Sequence, residues 1–195
     1  FLDGVPEIAY DPDVDEYLVV WQEVTSPSTG YEIYAQRVSG TGDLRGFAVH
    51  VSRDTGAVNE GMPVVTFNPV SREYLVAWHA FTSSLWQIWG QRVSESGQLI
   101  GGNFVVSRGD QDAQAPRVVH NPARNEYVVV WLDFRNGRAD VYGHRLTGSG
   151  SPTGADLAIS TASGSKGRCD IDYNDTDATY LVVWGDTRNN SSDIY

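Results

Sequence analysis

The 195-residue sequence holds a single cysteine, Cys169. No internal disulfide can form and no thiolate metal cluster can be built. A nucleophilic thiol needs a base beside it, and the sequence offers no candidate. Cys169 is therefore expected to be a small buried side chain at the start of a strand. No apolar run approaches the ~18 residues of a membrane-spanning helix. No window sustains a 3.6-residue period, so helices are not expected. Positive charge is scarce. Fourteen Lys and Arg stand against 25 Asp and Glu, giving a formal net charge of −11 and a pI near 4.6. That balance repels phosphate backbones and excludes nucleic acid as a partner. No signal peptide is visible and the sequence does not begin with Met, which reads as a processed or incomplete chain whose export signal has been removed or lies outside it.

What is present is turn-rich and aromatic. Twenty glycines, eight prolines and 11% aromatics, with only 20% charge, exclude a disordered chain and favour an all-β fold. One stretch organises the rest. Glu16-Tyr17-Leu18-Val19-Val20-Trp21 returns as Glu73 to Trp78, as Glu126 to Trp131 and as Thr179 to Trp184, at spacings of 57, 53 and 53 residues. A period of that size signals a propeller or another repeat array. Apolar residues at nearly every position mark a strand covered on both faces, as in a propeller sheet sandwiched between its neighbours.

Each repeat reads as four short strands. Strand A is expected to start at Pro6, Pro63, Pro116 and Cys169, with proline tolerated at a strand head. Asx-Pro turns (Asp11-Pro12, Asn68-Pro69, Asn121-Pro122) lead into strand B. Strand C covers Glu32 to Val38, Gln87 to Val93 and Asp140 to Leu146. Strand D covers Phe47 to Ser52, Asn103 to Ser107 and Asp156 to Ser160. The fourth repeat stops inside strand C. The expectation is a single domain over residues 1–195: a β-propeller of four blades of four antiparallel strands, the fourth incomplete. The repeats span approximately 5–57, 62–111, 115–164 and 168–195.

Trp131-Leu132-Asp133-Phe134-Arg135-Asn136 followed by Asp140-Val141-Tyr142-Gly143-His144-Arg145 resembles the repeats of secreted bacterial β-propellers, which read Y-L-V-V-W-x-D-x-R, then D-I-Y-x-Q-R-V. Trp184-Gly185-Asp186-Thr187-Arg188-Asn189 with Asp193-Ile194-Tyr195 matches as well. Repeats one and two depart, with Glu23 and Glu32, then Ala80 and Gln87, at the Asp positions. The resemblance implies an extracellular or cell-surface propeller. It carries no catalytic residues.

The B–C loops hold the candidate ligands. Asp133, Asn136 and Asp140 cluster in the third repeat, and Asp186, Asn189 and Asp193 in the fourth. Clustered carboxylate and amide oxygens suit Ca²⁺. The competing reading is that they shape the loops while Arg135 and Arg188 neutralise the carboxylates. Trp86 and Trp89 exceed what the other repeats carry and form a candidate patch for a partner or glycan. His50, His79, His120 and His144 fall at four different repeat positions, with no ligand spacing. No symmetry-breaking carboxylate pair is visible. The function expected on these grounds is non-catalytic: a structural or adhesive module that forms a homo-oligomer or polymer through its open blade edges. A calcium-assisted, carbohydrate-binding lectin is the alternative.

Overall fold

The computed structural model describes residues 6–26, 30–53, 55–189, 191 and 193–195. Among the described residues, fifteen strands build four antiparallel sheets in chain order. Blade 1 is β1 (Glu7–Asp11), β2 (Glu16–Ser26), β3 (Gly30–Ser39) and β4 (Leu44–His50). Blade 2 is β5 (Glu60–Asn68), β6 (Glu73–Thr82), β7 (Leu85–Ser94) and β8 (Leu99–Val105). Blade 3 is β9 (Ala113–Asn121), β10 (Glu126–Asp133), β11 (Asp140–Thr147) and β12 (Pro152–Ser160). Blade 4 has three strands, β13 (Lys166–Asn174), β14 (Thr179–Asp186) and β15 (Asp193–Ile194). The first strands pack against one another in the order β1, β5, β9, β13. This is the β-propeller read from the repeats, with an incomplete fourth blade.

The sheets stack because the second strand of each blade is apolar on both faces. Val76 and Trp78 of β6 join Leu18, Val20, Ile33 and Ala35 of blade 1 in one core. Leu75 of the same strand turns the other way and joins Tyr127, Val129 and Trp131 of blade 3. Val128 and Val130 repeat the pattern toward Cys169 and Val182 of blade 4. Polar latches reinforce the seams. Tyr127 Oη accepts a hydrogen bond from Asn68 Nδ2 at 3.0 Å. Tyr180 Oη accepts from Asn121 Nδ2 at 2.7 Å and donates to Glu126 Oε1 at 2.9 Å. Cys169 is buried, as expected, and burial pushes its thiol up to about 11.

β1 begins directly after Pro6, as expected, but the first strands of blades 2 and 3 begin earlier than their prolines suggest. Pro63 and Pro116 lie inside β5 and β9, not at their heads. The residues before them, Met62 and Ala115, sit at φ 50° and 54°. The ladder slips register at both places. A bulge leaves one backbone position unpaired, so a proline costs no ladder hydrogen bond there. The hairpins between first and second strands use the expected Asx turns. Asn68 Oδ1 accepts from the backbone of Val70 and Ser71 at 2.9 and 3.0 Å.

Leu75 and Leu181 occupy the same repeat position, yet Leu75 is fully buried and Leu181 is 67% exposed. Leu75→Ala should therefore cost about 2–5 kcal/mol. Leu181→Ala should change stability by less than about 0.5 kcal/mol. Urea unfolding of the 195-residue chain compares the two. Equal costs would mean that the outer face of blade 4 is covered in solution.

Candidate functional site at the loop-bearing end

First strands start, second strands end and third strands start at one end of the propeller, so the B–C loops and the inter-blade connections meet there. In blade 3, Trp131 Nε1 donates to Asp133 Oδ2 at 2.9 Å. Arg135 grips the same carboxylate through Nε and Nη2, both at 2.7 Å. It also reaches Asp156 Oδ2 at 2.7 Å and lies 4.1 Å over the Tyr142 ring. Asp156 in turn meets His144 Nδ1 at 2.9 Å. Blade 4 repeats the unit. Trp184 Nε1 donates to Asp186 at 3.3 Å, Arg188 pairs with that carboxylate, and its guanidinium lies 3.9 Å over Tyr195. In blade 1, Trp21 Nε1 finds Glu23 at 3.0 Å. In blade 2 the loop position is Ala80, and the buried Trp78 Nε1 makes no hydrogen bond.

These units set the charges. Burial opposes ionisation of Asp133, but Arg135 and the Trp131 indole hold its carboxyl below the usual range. Arg188 does the same for Asp186. Burial raises Glu60, against the pull of Ser52, Thr55 and Trp78.

The structure thus pairs Asp133 and Asp186 with arginine. Asn136 Nδ2 donates to Asp140 Oδ2 at 2.7 Å, and Asp140 also faces Arg138 and Lys166 at 3.2 and 3.8 Å. Asn189 donates to Tyr195 Oη at 2.6 Å, and Asp193 accepts from Ser191 at 2.9 Å. Among the described residues no three His, Cys, Asp or Glu side chains gather around one point. His50 Nε2 lies 3.4 Å from Ser52 Oγ and 3.7 Å from Glu32 Oε2. One ring nitrogen faces both, so the imidazole does not relay between nucleophile and carboxylate.

Trp86 and Trp89 part company. Trp89 pairs across strands with Trp78 and packs against the core between blades 1 and 2. Trp86 stays partly exposed, 4.6 Å from His79 and 5.3 Å from Phe81 between ring centroids. Its backbone N–H donates to Asp112 Oδ1 at 3.0 Å. The aromatic group continues into polar neighbours. His79 Nδ1 accepts from the backbone of Ala115 at 3.4 Å. Gln22 Oε1 accepts from the backbone of Met62 at 2.9 Å. Both donors are the left-handed bulge residues of the innermost strands. A Cβ on Gly61 would sit 2.8 Å from Gln22 Oε1 and 3.1 Å from His79 Nε2, so a side chain there would displace the Gln22 amide. Gln22 and His79 follow the second-strand tryptophan directly, where the other repeats have Leu132 and Gly185. That divergence was the available signal for them; their polar contacts were not legible.

No known protein family and no curated protein matches the sequence. Solved structures do match in fold. An endo-arabinase from Bacteroides thetaiotaomicron aligns with a TM-score of 0.61 at 9% identity, over 97% of this chain and 72% of that one. An N-acetylgalactosamine deacetylase from F. plautii, in complex with blood group B trisaccharide, gives 0.63 at 10%, over 94% and 63%. A GH43 endo-arabinanase from Bacillus licheniformis gives 0.58 at 15%, over 100% and 82%. These neighbours correct two expectations: that the chain is not an enzyme, and that it is a structural or adhesive module assembling through its edges, or a calcium-assisted lectin. The open edge is there, in the two-residue β15, but an unpaired strand does not by itself specify assembly.

Burial pushes His79 down to about 4 from an ordinary 6.5. The unfolded chain therefore takes up this proton first. His79 contributes fully above pH 6.5, and its contribution falls as pH drops toward 4, by at most about 3 kcal/mol. Urea midpoints measured from pH 7 to 4 should decline, and His79→Gln should flatten that decline. An unchanged slope would mean that His79 is solvated.

Proposed function

We propose that the chain is the propeller of a carbohydrate-active enzyme of the glycoside-hydrolase kind, with a polysaccharide bound at the loop-bearing end. The observation that carries the proposal is the Trp86, Phe81 and His79 aromatic group at that end. Aromatic faces accept the C–H faces of sugar rings. Gln22 and Asp112, beside that group, offer oxygens to sugar hydroxyls, and the neutral His79 adds a polar ring edge. The fold likeness to arabinanases and to a sugar deacetylase supports the same substrate class. The resemblance to secreted bacterial propeller repeats belongs with this proposal, and so does an extracellular location.

The test is affinity electrophoresis in gels cast with soluble arabinan, galactan, xylan or glucan, beside a reducing-sugar assay on the same panel. At least one polymer should retard the protein. Trp86→Ala should weaken that retardation at least about tenfold with an unchanged far-UV spectrum, since one stacking residue commonly dominates such a contact. Trp89→Ala should act through stability instead. Absence of both retardation and product across the panel rejects the proposal.

A further inference from the structure

A cavity of about 260 Å³ opens at the seam between blades 1 and 2, beside the outer strand β4. Leu18, Ala35, Val49, Val93 and Gly97 form its apolar wall. The same five repeat positions recur one seam on, as Leu75, Gly90, Phe104, Leu146 and Gly150. There the Phe104 ring packs against the core that holds Leu75 and Leu146. A Cβ on Gly90 would lie 2.8 Å from Phe104 Cζ, and a Cβ on Gly150 would lie 2.9 Å from it, so a side chain at either place would displace the ring. The first seam keeps Gly97, but it pairs Ala35 with Val49 across the strands where the second pairs Gly90 with Phe104. Valine reaches less far than phenylalanine, and the cavity is the difference. Phe47 belongs to the lining, yet it is 94% exposed and leaves the space open.

We propose that this cavity is a binding site for one uncharged aromatic ring of about the size of phenol. The occupant follows from the neighbouring seam, where matching walls enclose a benzyl side chain of the chain itself. The volume agrees. An apolar cavity of about 150 Å³ takes benzene, and pockets for drug-sized ligands start at about 300 Å³. The space therefore suits a single ring with a small substituent. Charge decides against an aromatic acid. Arg37 and Arg45 also line the cavity, but both face Glu16, at 2.6 and 3.6 Å, so neither is free for a ligand carboxylate. The formal net charge of −11 opposes an anion as well. Ser96 and Gln98 are exposed members of the lining and can meet a ring hydroxyl. Phe47 is placed to cover the ring from outside. The site is separate from the aromatic group at the loop-bearing end: β7 starts beside Trp86 there and runs to the opposite end, where Ser96 and Gln98 follow it.

The experiment is a phenol titration of the ¹³C-methyl-labelled chain followed by NMR. Ring currents should shift the Leu18, Ala35, Val49 and Val93 methyl signals together, and the shifts should saturate with a Kd on the order of 1 mM, the scale for so small a ligand. Ala35→Gly combined with Val49→Phe copies the blade 2 pair, fills the cavity and should weaken binding at least about tenfold. Should that variant not fold, Val49→Leu takes its place. It installs the residue that blade 3 carries there, Leu157, and should weaken binding at least about threefold. Phe47→Ala should bind phenol equally or more weakly. Tighter binding by that variant would mean that Phe47 itself competes for the cavity, which overturns the proposal. Wild-type methyl signals that do not shift and saturate overturn it as well, and so does wild-type affinity in the folded filling variant.

Discussion

Everything in this molecule depends on one constraint: the second strand of each blade must be covered on both faces. Tyr74, Val76 and Trp78 look back to blade 1, while Leu75 looks forward to blade 3. A single four-stranded sheet cannot satisfy such a strand, because one of its faces would lie in water. Burying both faces forces the sheets to stack, and the right-handed twist of each sheet splays the stack into wedges. The energy of the fold therefore resides in seams between blades more than in any blade alone. Leu181, at the forward position of blade 4, shows what the same residue looks like without its seam.

Dedicating these strands to packing creates a polar problem at their ends. Each carries a tryptophan, and from blade 2 onward its indole N–H is drawn into the protein, where an unpaired donor is costly; that of Trp78 stays unpaired. Elsewhere a carboxylate answers it: Glu23 in blade 1, Asp133 in blade 3, Asp186 in blade 4. A buried carboxylate then needs its own compensation, and the arginine two residues on supplies it in blades 3 and 4. The W-x-D-x-R motif is thus a chain of three debts settled locally. It also explains why so acidic a chain keeps several carboxylates at low exposure.

The architecture was legible because packing repeats. Four copies of one strand gave the blades, their order and the unfinished fourth sheet. Pro63 and Pro116 misplaced the strand heads of blades 2 and 3, because a bulge with Met62 or Ala115 in the left-handed region has no mark in a single sequence. The pairing of Asp133 with Arg135 was among the readings of the loop carboxylates. Lys166 was not, since its partners come from two blades and from a turn that carries no motif. Glu60 escaped as well: it is buried at the head of β5 and accepts from Thr55 Oγ1.

Repetition and function pull in opposite directions here. A residue found in every blade is explained by what every blade needs, which is packing and local charge balance. A ligand on or near the axis meets the blades from one side and cannot use all copies alike, so recognition must appear where the copies disagree. Trp86 stands where the other repeats have Tyr31, Ala139 and Ser192. Gln22 and His79 stand where the later ones have Leu132 and Gly185. Those two divergent positions meet around Gly61 and the bulges of the innermost strands. Disagreement alone does not suffice, because Glu60, Ala113 and Lys166 also differ and serve the seams. The divergent residues that remain partly exposed at the loop-bearing end are the ones left for a substrate, and Trp86 is the largest of them.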